Sequence, residues 1–187
     1  MPKKELKQLS YSSRLTLHSC PRKFQLYKLN SVVDAEESEN SKQSITFSFG
    51  HVVGLGIQNV LQGMSENQIY FNAFLRWKPD LLIKDEKQNK SFWIALQAIQ
   101  KFITAYKNGL FKGWEIAVIN GKPAAELSFI IHFPDGFTYK GFVDVVLQHT
   151  ETKKVMVIEV KTTSANWVAP ASFKNSAQAL GYSIVLD

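Results

Sequence analysis

The stretch that decides the fold runs from Gly141 to Lys161 and reads GFVDVVLQHTETKKVMVIEVK. Its two apolar runs predict two neighbouring strands, and the short polar segment 149–154 between them predicts a hairpin turn. In such a hairpin, Asp144 on the first strand lies close to Glu159 on the second. The stretch therefore predicts two carboxylates and a lysine at the ends of adjacent strands.

Spacing within the second strand sorts its side chains. Because side chains on a strand alternate between two faces, Glu159 and Lys161 are predicted on one face and Val160 on the other. One face would carry the catalytic side chains and the other would pack in the core.

This pattern fits a metal-dependent phosphodiesterase. Mg²⁺ prefers oxygen ligands and keeps several waters, so Asp144 and Glu159, with the main-chain carbonyl of Val160, are sufficient protein ligands. Lys161 beside them would orient an attacking hydroxide and stabilise negative charge. A solvated, charged hairpin face is the alternative, and the spacing alone leaves both open.

Separate motifs carry a family resemblance. Asp144 followed by Glu159-Val160-Lys161 resembles the signature of the PD-(D/E)XK nuclease superfamily. Gln178-Ala-Leu-Gly-Tyr182 resembles the Gln-xxx-Tyr helix motif of its RecB-like branch. Segments 9–15 (LSYSSRL) and 20–24 (CPRKF) resemble the opening of that branch, which includes CRISPR-associated and helicase-linked exonucleases. The motifs occur in family order along almost the whole chain.

The resemblance implies an α/β (α+β) fold with a restriction-endonuclease-like core, a mixed central β-sheet flanked by helices, and a helical insertion in the N-terminal half. We expect one nuclease domain over 1–187, with about 1–112 mainly helical and about 113–187 forming the catalytic sheet and the following helix. RecB-like domains continue past the Gln-xxx-Tyr helix, so we expect a chain truncated at the C-terminus.

Further metal contacts follow from the resemblance. Glu126 matches an acidic position near the metal, with an exposed edge-strand charge as the alternative. The family often has a histidine ligand four residues after a glycine, but Gly54 follows Gly50 at that spacing. His51, nearly one helical turn away, is the substitute candidate, and otherwise it is a polar residue near a helix start. Gln58 is an alternative contact from the same helix.

The helix predicted over 170–184 places Gln178 and Tyr182 on one face at i and i+4. The resemblance implies that they orient the lysine, a water or a phosphate. A hydrogen-bonded packing pair is the alternative.

The net charge favours a polyanionic partner, since the chain has 22 Lys and Arg and only 16 Asp and Glu, which gives a net charge of +6. Surface solubility explains scattered lysines equally well. The candidate contacts to the DNA backbone are Arg14, Arg22, Lys23 and Lys174.

Cysteine usage bears on cofactors and compartment. Some RecB-like exonucleases bind an iron–sulfur cluster through four cysteines, but Cys20 is the single cysteine. A cluster within one chain is thereby excluded, and Mg²⁺ or Mn²⁺ is the expected cofactor. Cys20 is predicted to be a small buried residue at a helix end. We expect a reducing cytoplasm, that of a bacterium or a phage-infected host, with no membrane partner and no secretory signal.

Periodicity predicts the remaining elements. Gly54 and Gly56 within one predicted helix suggest a close approach of another backbone, the substrate's included, or simply tolerated glycines. The predicted helices cover 11–27 with a break at Pro21, 49–61, 65–83, 90–108 and 170–184, and the predicted strands cover 114–119, 126–133, 138–148 and 154–161.

The leading hypothesis is a Mg²⁺- or Mn²⁺-dependent DNA nuclease, specifically an exonuclease of recombination, repair or phage DNA processing. A helicase, a recombinase or another bacterial or phage replication protein is the expected partner. The alternative is a catalytically weak DNA-binding or assembly subunit that keeps the nuclease fold. Restriction-type endonuclease action would use the same residues.

Overall fold

A computed structural model describes residues 8–26, 45–77, 90–163 and 177–186. The chain divides into two compact units. Of the described residues, the first unit holds 8–26, 128–142 and 177–186, and the second holds 45–77, 90–127 and 143–163.

Three helices make up the helical part of the second unit, among the residues that the structure describes. They are α3 (Ile45–Leu61), α4 (Glu66–Arg76) and α5 (Phe92–Lys107). Ser65 and Gln68 form a capping box that starts α4, and the Ser91 side chain accepts a hydrogen bond from the Ile94 N–H at the start of α5. Gly63, with φ of 74°, turns the chain between α3 and α4.

The helices enclose an apolar core. A β-carbon added at Gly56 would lie 2.5 Å from two carbons of Ile99, so this glycine lets α3 approach α5. The sequence suggested another backbone as the close neighbour of this glycine, but at Gly56 the neighbour is a side chain of α5. The core residues are Phe49, Val52, Val53, Val60, Ile69, Ala73, Trp77, Phe92, Ala95, Ile99 and Ile103.

The main sheet is organised around the long strand β6 (Thr138–His149), with the order β1-β6-β2, while β5 and β7 also pair with β6. Within the second unit, β2 (Trp114–Ile116) and β7 (Val155–Ile158) are both antiparallel to β6. A small second sheet joins β3 (Val118–Ile119) to β4 (Lys122–Pro123), and β5 spans Ala125–His132.

In the first unit, β1 (Gln8–Ser10) pairs in parallel with Thr138–Lys140 of β6. Because β1 is parallel and β2 and β7 are antiparallel, the sheet is mixed, which confirms the predicted α/β fold class. The strand β1 was not predicted, since a three-residue strand is too short for a periodicity signal.

The remaining helices of the first unit are α1 (Tyr11–Ser19), α2 (Pro21–Phe24) and α6 (Ala177–Leu186). The predicted break at Pro21 is confirmed, because the backbone is extended at Cys20, directly before the proline. The prediction that Cys20 is buried is wrong: it is exposed, and its Sγ accepts a hydrogen bond from the Lys23 N–H at the start of α2.

Within the described part of the chain, every helix is too short or too polar to cross a membrane.

Candidate functional site

One cavity of about 600 Å³ lies entirely within the second unit. Its walls come from α3, the end of α4, the start of β5, the middle of β6 and the segment that follows β7. The lining residues are Thr46, Phe47, Gly50, His51, Gly54, Leu55, Gln58, Arg76, Glu126, Asp144, Glu159, Val160, Lys161 and Thr162.

The helix α3 presents one face to this cavity and another to the core. Phe47, His51, Gly54 and Gln58 recur at spacings of three or four residues, which is the period of one helix face. Residues on the opposite face, such as Val52, are buried in the helical core. The same helix therefore supports the core and lines the cavity.

Asp144 is held in place at both its side chain and its main chain. Its Oδ2 accepts a hydrogen bond from the Val160 N–H at 2.8 Å. Its main-chain oxygen accepts one from Nε2 of the buried Gln58 at 3.4 Å. Neither bond uses Oδ1 of Asp144, so this oxygen can serve a ligand in the cavity.

The segment after β7 departs from the predicted strand geometry. Val145 pairs with Ile158, and β7 ends there, three residues before the predicted end at Lys161. The Asp144 carboxylate takes the Val160 N–H that a continuing ladder would have used. Residues 159–162 all line the cavity, and the side chains still sort as predicted, since Val160 packs against the helical core while Glu159 and Lys161 form an ion pair.

Lys161 and Glu159 form an ion pair at the cavity wall. The lysine side chain is 51% exposed and the glutamate side chain 21% exposed, so the ammonium group reaches solvent while the carboxylate is more enclosed. Val160, between them, packs against the helical core and so anchors the segment.

Burial raises the pKa of the Asp144 carboxyl, and the neighbouring carboxylates Glu159 and Glu126 raise it further. The Val160 N–H and the Lys161 ammonium lower the same pKa but do not offset the rise. The site thus concentrates negative charge at partly buried oxygens. A divalent cation bound there would relieve that repulsion.

Glu126 lines the cavity from β5 with an unusual backbone. Its φ is 49°, in the left-handed region that is rare for a glutamate, and its side chain is exposed. Strained residues of this kind cost about 1–3 kcal/mol and concentrate at functional sites.

His51 and Arg76 contact each other within the cavity lining. An Nη2 of Arg76 lies 3.2 Å from Nδ1 of His51. Gly54, on the same helix, has no atom within 4 Å of the position that a β-carbon would take. The position where the resemblance leads us to expect a histidine is therefore open space.

The ligand set suits a cation that needs few protein ligands. No cluster of three or more His, Cys, Asp and Glu side chains able to hold a metal occurs among residues 8–26, 45–77, 90–163 and 177–186. The carboxylates of Asp144 and Glu159, with the Val160 carbonyl, could hold Mg²⁺ or Mn²⁺, which complete their coordination with waters and phosphate oxygens.

Other predicted site residues belong to the first unit. Tyr182 is buried, its hydroxyl donates to the Phe142 carbonyl at 2.9 Å, and the Gln178 Nε2 donates to that hydroxyl at 2.5 Å. Arg14, Arg22 and Lys23 are exposed on α1 and α2. Lys174 lies outside the described residues.

The cavity residues that were not predicted from the sequence include Phe47 and Arg76. Phe47 precedes His51 by one helical turn, so this spacing could have predicted that Phe47 lies on the same helix face. Arg76 ends α4, and no local pattern in the sequence connects it with α3.

The family model of the PD-(D/E)XK nuclease superfamily matches residues 8–187. No curated protein and no solved structure matches the chain.

Proposed function

The chain belongs to the PD-(D/E)XK nuclease superfamily, and from this we propose that it is a Mg²⁺- or Mn²⁺-dependent nuclease that hydrolyses phosphodiester bonds in DNA. The observation that carries the proposal is the position of Asp144, Glu159 and Lys161 in the wall of one cavity. Members of this superfamily typically use divalent metals such as Mg²⁺.

In this proposal Asp144 and Glu159 hold the metal through carboxylate oxygens, and Val160 adds its main-chain carbonyl. A bound divalent cation supplies a water of lowered pKa and neutralises charge on the phosphate. The hydrogen bond from the Val160 N–H orients the Asp144 carboxylate, which is how a supporting donor fixes a metal ligand.

Lys161 acts on the reacting groups. Its ion pair with Glu159 keeps the ammonium beside a metal ligand, where a cation stabilises the extra negative charge of the transition state. Glu126 and His51, which line the same cavity, support the metal as further contacts or through bound water.

The finer assignments rest on the family resemblance. They comprise membership of the RecB-like branch without an iron–sulfur cluster, exonuclease action in recombination, repair or phage DNA processing, a single nuclease domain, and a cytoplasmic location with a helicase or recombinase as partner. Gln178 and Tyr182 are proposed to support activity, and Arg14, Arg22, Lys23 and Lys174 to contact the DNA backbone.

The deciding test is cleavage of end-labelled linear DNA and closed circular DNA, each with and without Mn²⁺. We expect metal-dependent degradation of the linear substrate only, and a loss of about a hundredfold or more in Lys161→Ala. Lys154→Ala, a change at an exposed lysine outside the cavity lining, is the matched control. Undiminished cleavage by Lys161→Ala, with an unchanged melting temperature, would refute the proposal.

A binding module that keeps the nuclease fold is the second candidate, and the open space at Gly54 favours it. Titration calorimetry with Mn²⁺ separates the two. A nuclease should show a binding site that Asp144→Asn removes, whereas a binding module need not.

A further inference from the structure

Three lining residues of the cavity form a connected group apart from the carboxylates. Phe47 and His51 lie one turn apart on α3, with their ring centroids 6.5 Å apart. Arg76, at the end of α4, reaches His51 Nδ1 at 3.2 Å. The group joins an aromatic face, an imidazole and a guanidinium in the cavity that holds Asp144 and Glu159.

Phe47 presents its ring to solvent. Its exposed fraction is 65%, although the other phenylalanine of the same helix, Phe49, is buried in the core. Among the described residues that line the cavity, Phe47 is the one Phe, Tyr or Trp. An exposed aromatic ring in a polar cavity has the chemistry of a stacking platform for a nucleobase.

Arg76 supplies the complementary group for a phosphate. Its guanidinium is always charged, and its planar donors fit phosphate oxygens in pairs. His51 Nδ1 lies at hydrogen-bonding distance from one guanidinium nitrogen, which fixes the direction of the remaining donors. His51 is in this respect a positioning residue for Arg76.

We propose that Phe47 and Arg76 hold one unpaired nucleotide beside the metal site, with the base stacked on Phe47 and a phosphate bound by Arg76. The substrate class is then single-stranded DNA, a conclusion that rests on the proposed nuclease function. In a duplex the faces of the bases are covered by stacking, so Phe47 would have no base to contact. The cavity volume of about 600 Å³ falls in the range of pockets that hold small ligands, which is enough for one nucleotide.

Binding without cleavage tests this inference. Fluorescence anisotropy in EDTA would compare a labelled single-stranded oligonucleotide with the same sequence in a duplex. We expect tighter binding of the single strand, roughly tenfold weaker single-strand binding in Phe47→Ala, and recovery in Phe47→Trp, because stacking on an aromatic ring tolerates the exchange. Phe71→Ala, at a phenylalanine that is 60% exposed on α4, is the control and should bind as the wild type does.

The salt dependence of binding tests the phosphate contact separately. Arg76→Ala should weaken binding and reduce the dependence of log K on log salt concentration by about one contact, whereas Lys101→Ala, at an exposed lysine of α5, should leave that slope unchanged. His51→Ala should reduce the slope in part, and His51→Gln, which keeps an acceptor for Arg76, should restore it.

Two results would overturn the inference: duplex binding equal to or tighter than single-strand binding, or unchanged single-strand affinity in Phe47→Ala. Absence of single-strand binding by the wild-type protein would count equally against it. None of these measurements needs cleavage. Failure of the nuclease proposal would instead appear as persistent cleavage by Lys161→Ala.

Discussion

The carboxylate of Asp144 accepts a hydrogen bond from the main-chain N–H of Val160 at 2.8 Å. This bond takes the place of the next ladder contact after the Val145–Ile158 pair, so the chain leaves the sheet at Glu159. One interaction therefore ends a strand, orients a carboxylate and turns the following segment into the cavity.

Asp144→Asn separates stability from activity. We expect cleavage to fall by about a hundredfold or more, while stability in EDTA is maintained or rises, because the amide oxygen still accepts from Val160 and carries no charge. The carboxyl has a raised pKa, from burial first and from Glu159 and Glu126 after it.

The sign of the pH dependence follows from that raised pKa. Below the ordinary Asp value of 3.8, the carboxyl is protonated in both states. As pH rises past this value the unfolded chain ionises first, so wild-type stability falls until the folded carboxyl also ionises. Denaturant titrations in EDTA should show this fall in the wild type and a smaller one in Asp144→Asn. Identical pH profiles would contradict the prediction.

Two glycines on α3 give a matched pair. Gly56→Ala places a β-carbon 2.5 Å from the fully buried Ile99, and such overpacking costs about 1–3 kcal/mol, more than the roughly 1 kcal/mol gained in helix propensity. Gly54→Ala meets no atom within 4 Å and should be stabilising by up to about 1 kcal/mol. Thermal unfolding should order the melting temperatures, from highest to lowest, as Gly54→Ala, wild type, Gly56→Ala.

A rescue variant checks the cause. Ile99→Ala removes the three Ile99 carbons that lie 2.5, 2.5 and 3.2 Å from the added carbon, so Gly56→Ala combined with Ile99→Ala should lose less stability than the sum of the single changes. Additive losses would mean that Ile99 is not the obstacle.

Glu126→Gly should raise the stability of the protein and lower its nuclease activity. Glycine adopts a φ of 49° without strain, so we expect the free energy of unfolding to rise by up to about 1 kcal/mol, while metal-dependent cleavage falls with the lost carboxylate. Glu126→Gln keeps the strained backbone and loses only the charge. It should lose cleavage as Glu126→Gly does, but gain no stability from the backbone. Equal unfolding free energies for the two variants would argue against strain.

Tyr182→Phe tests the Gln178–Tyr182 pair. Removing the hydroxyl leaves the Phe142 carbonyl without this donor and should cost about 1 kcal/mol. If the pair supports catalysis as proposed, cleavage should fall by about tenfold or more at temperatures where the variant is fully folded. A stability loss with full activity would assign both residues to packing alone. Ser183→Ala, an exposed change on the same helix, is the control.

Local sequence accounts for much of the architecture. The alternation and turn in 141–161 predict the pairing of β6 with β7, and the observed register brings Asp144 next to Glu159 as the spacing requires. Periodicity locates α4 and α5 to within a few residues near their starts, where the structure shows the Ser65 and Ser91 side chains accepting from main-chain N–H groups of the first turn. These features depend on neighbours in the chain, so the chain alone specifies them.

Tertiary structure decided the features of the site that depend on contacts between residues far apart in the chain. The end of β7 depends on the Asp144 side chain, which lies sixteen residues before Val160 in the chain. The strain at Glu126 depends on the path of β5, and the contact of Arg76 with His51 depends on how two helices meet. Sequence thus determined which residue types were present and the period that sorted them into faces. Packing determined which faces meet, since burial and hydrogen bonding act between groups that are distant along the chain.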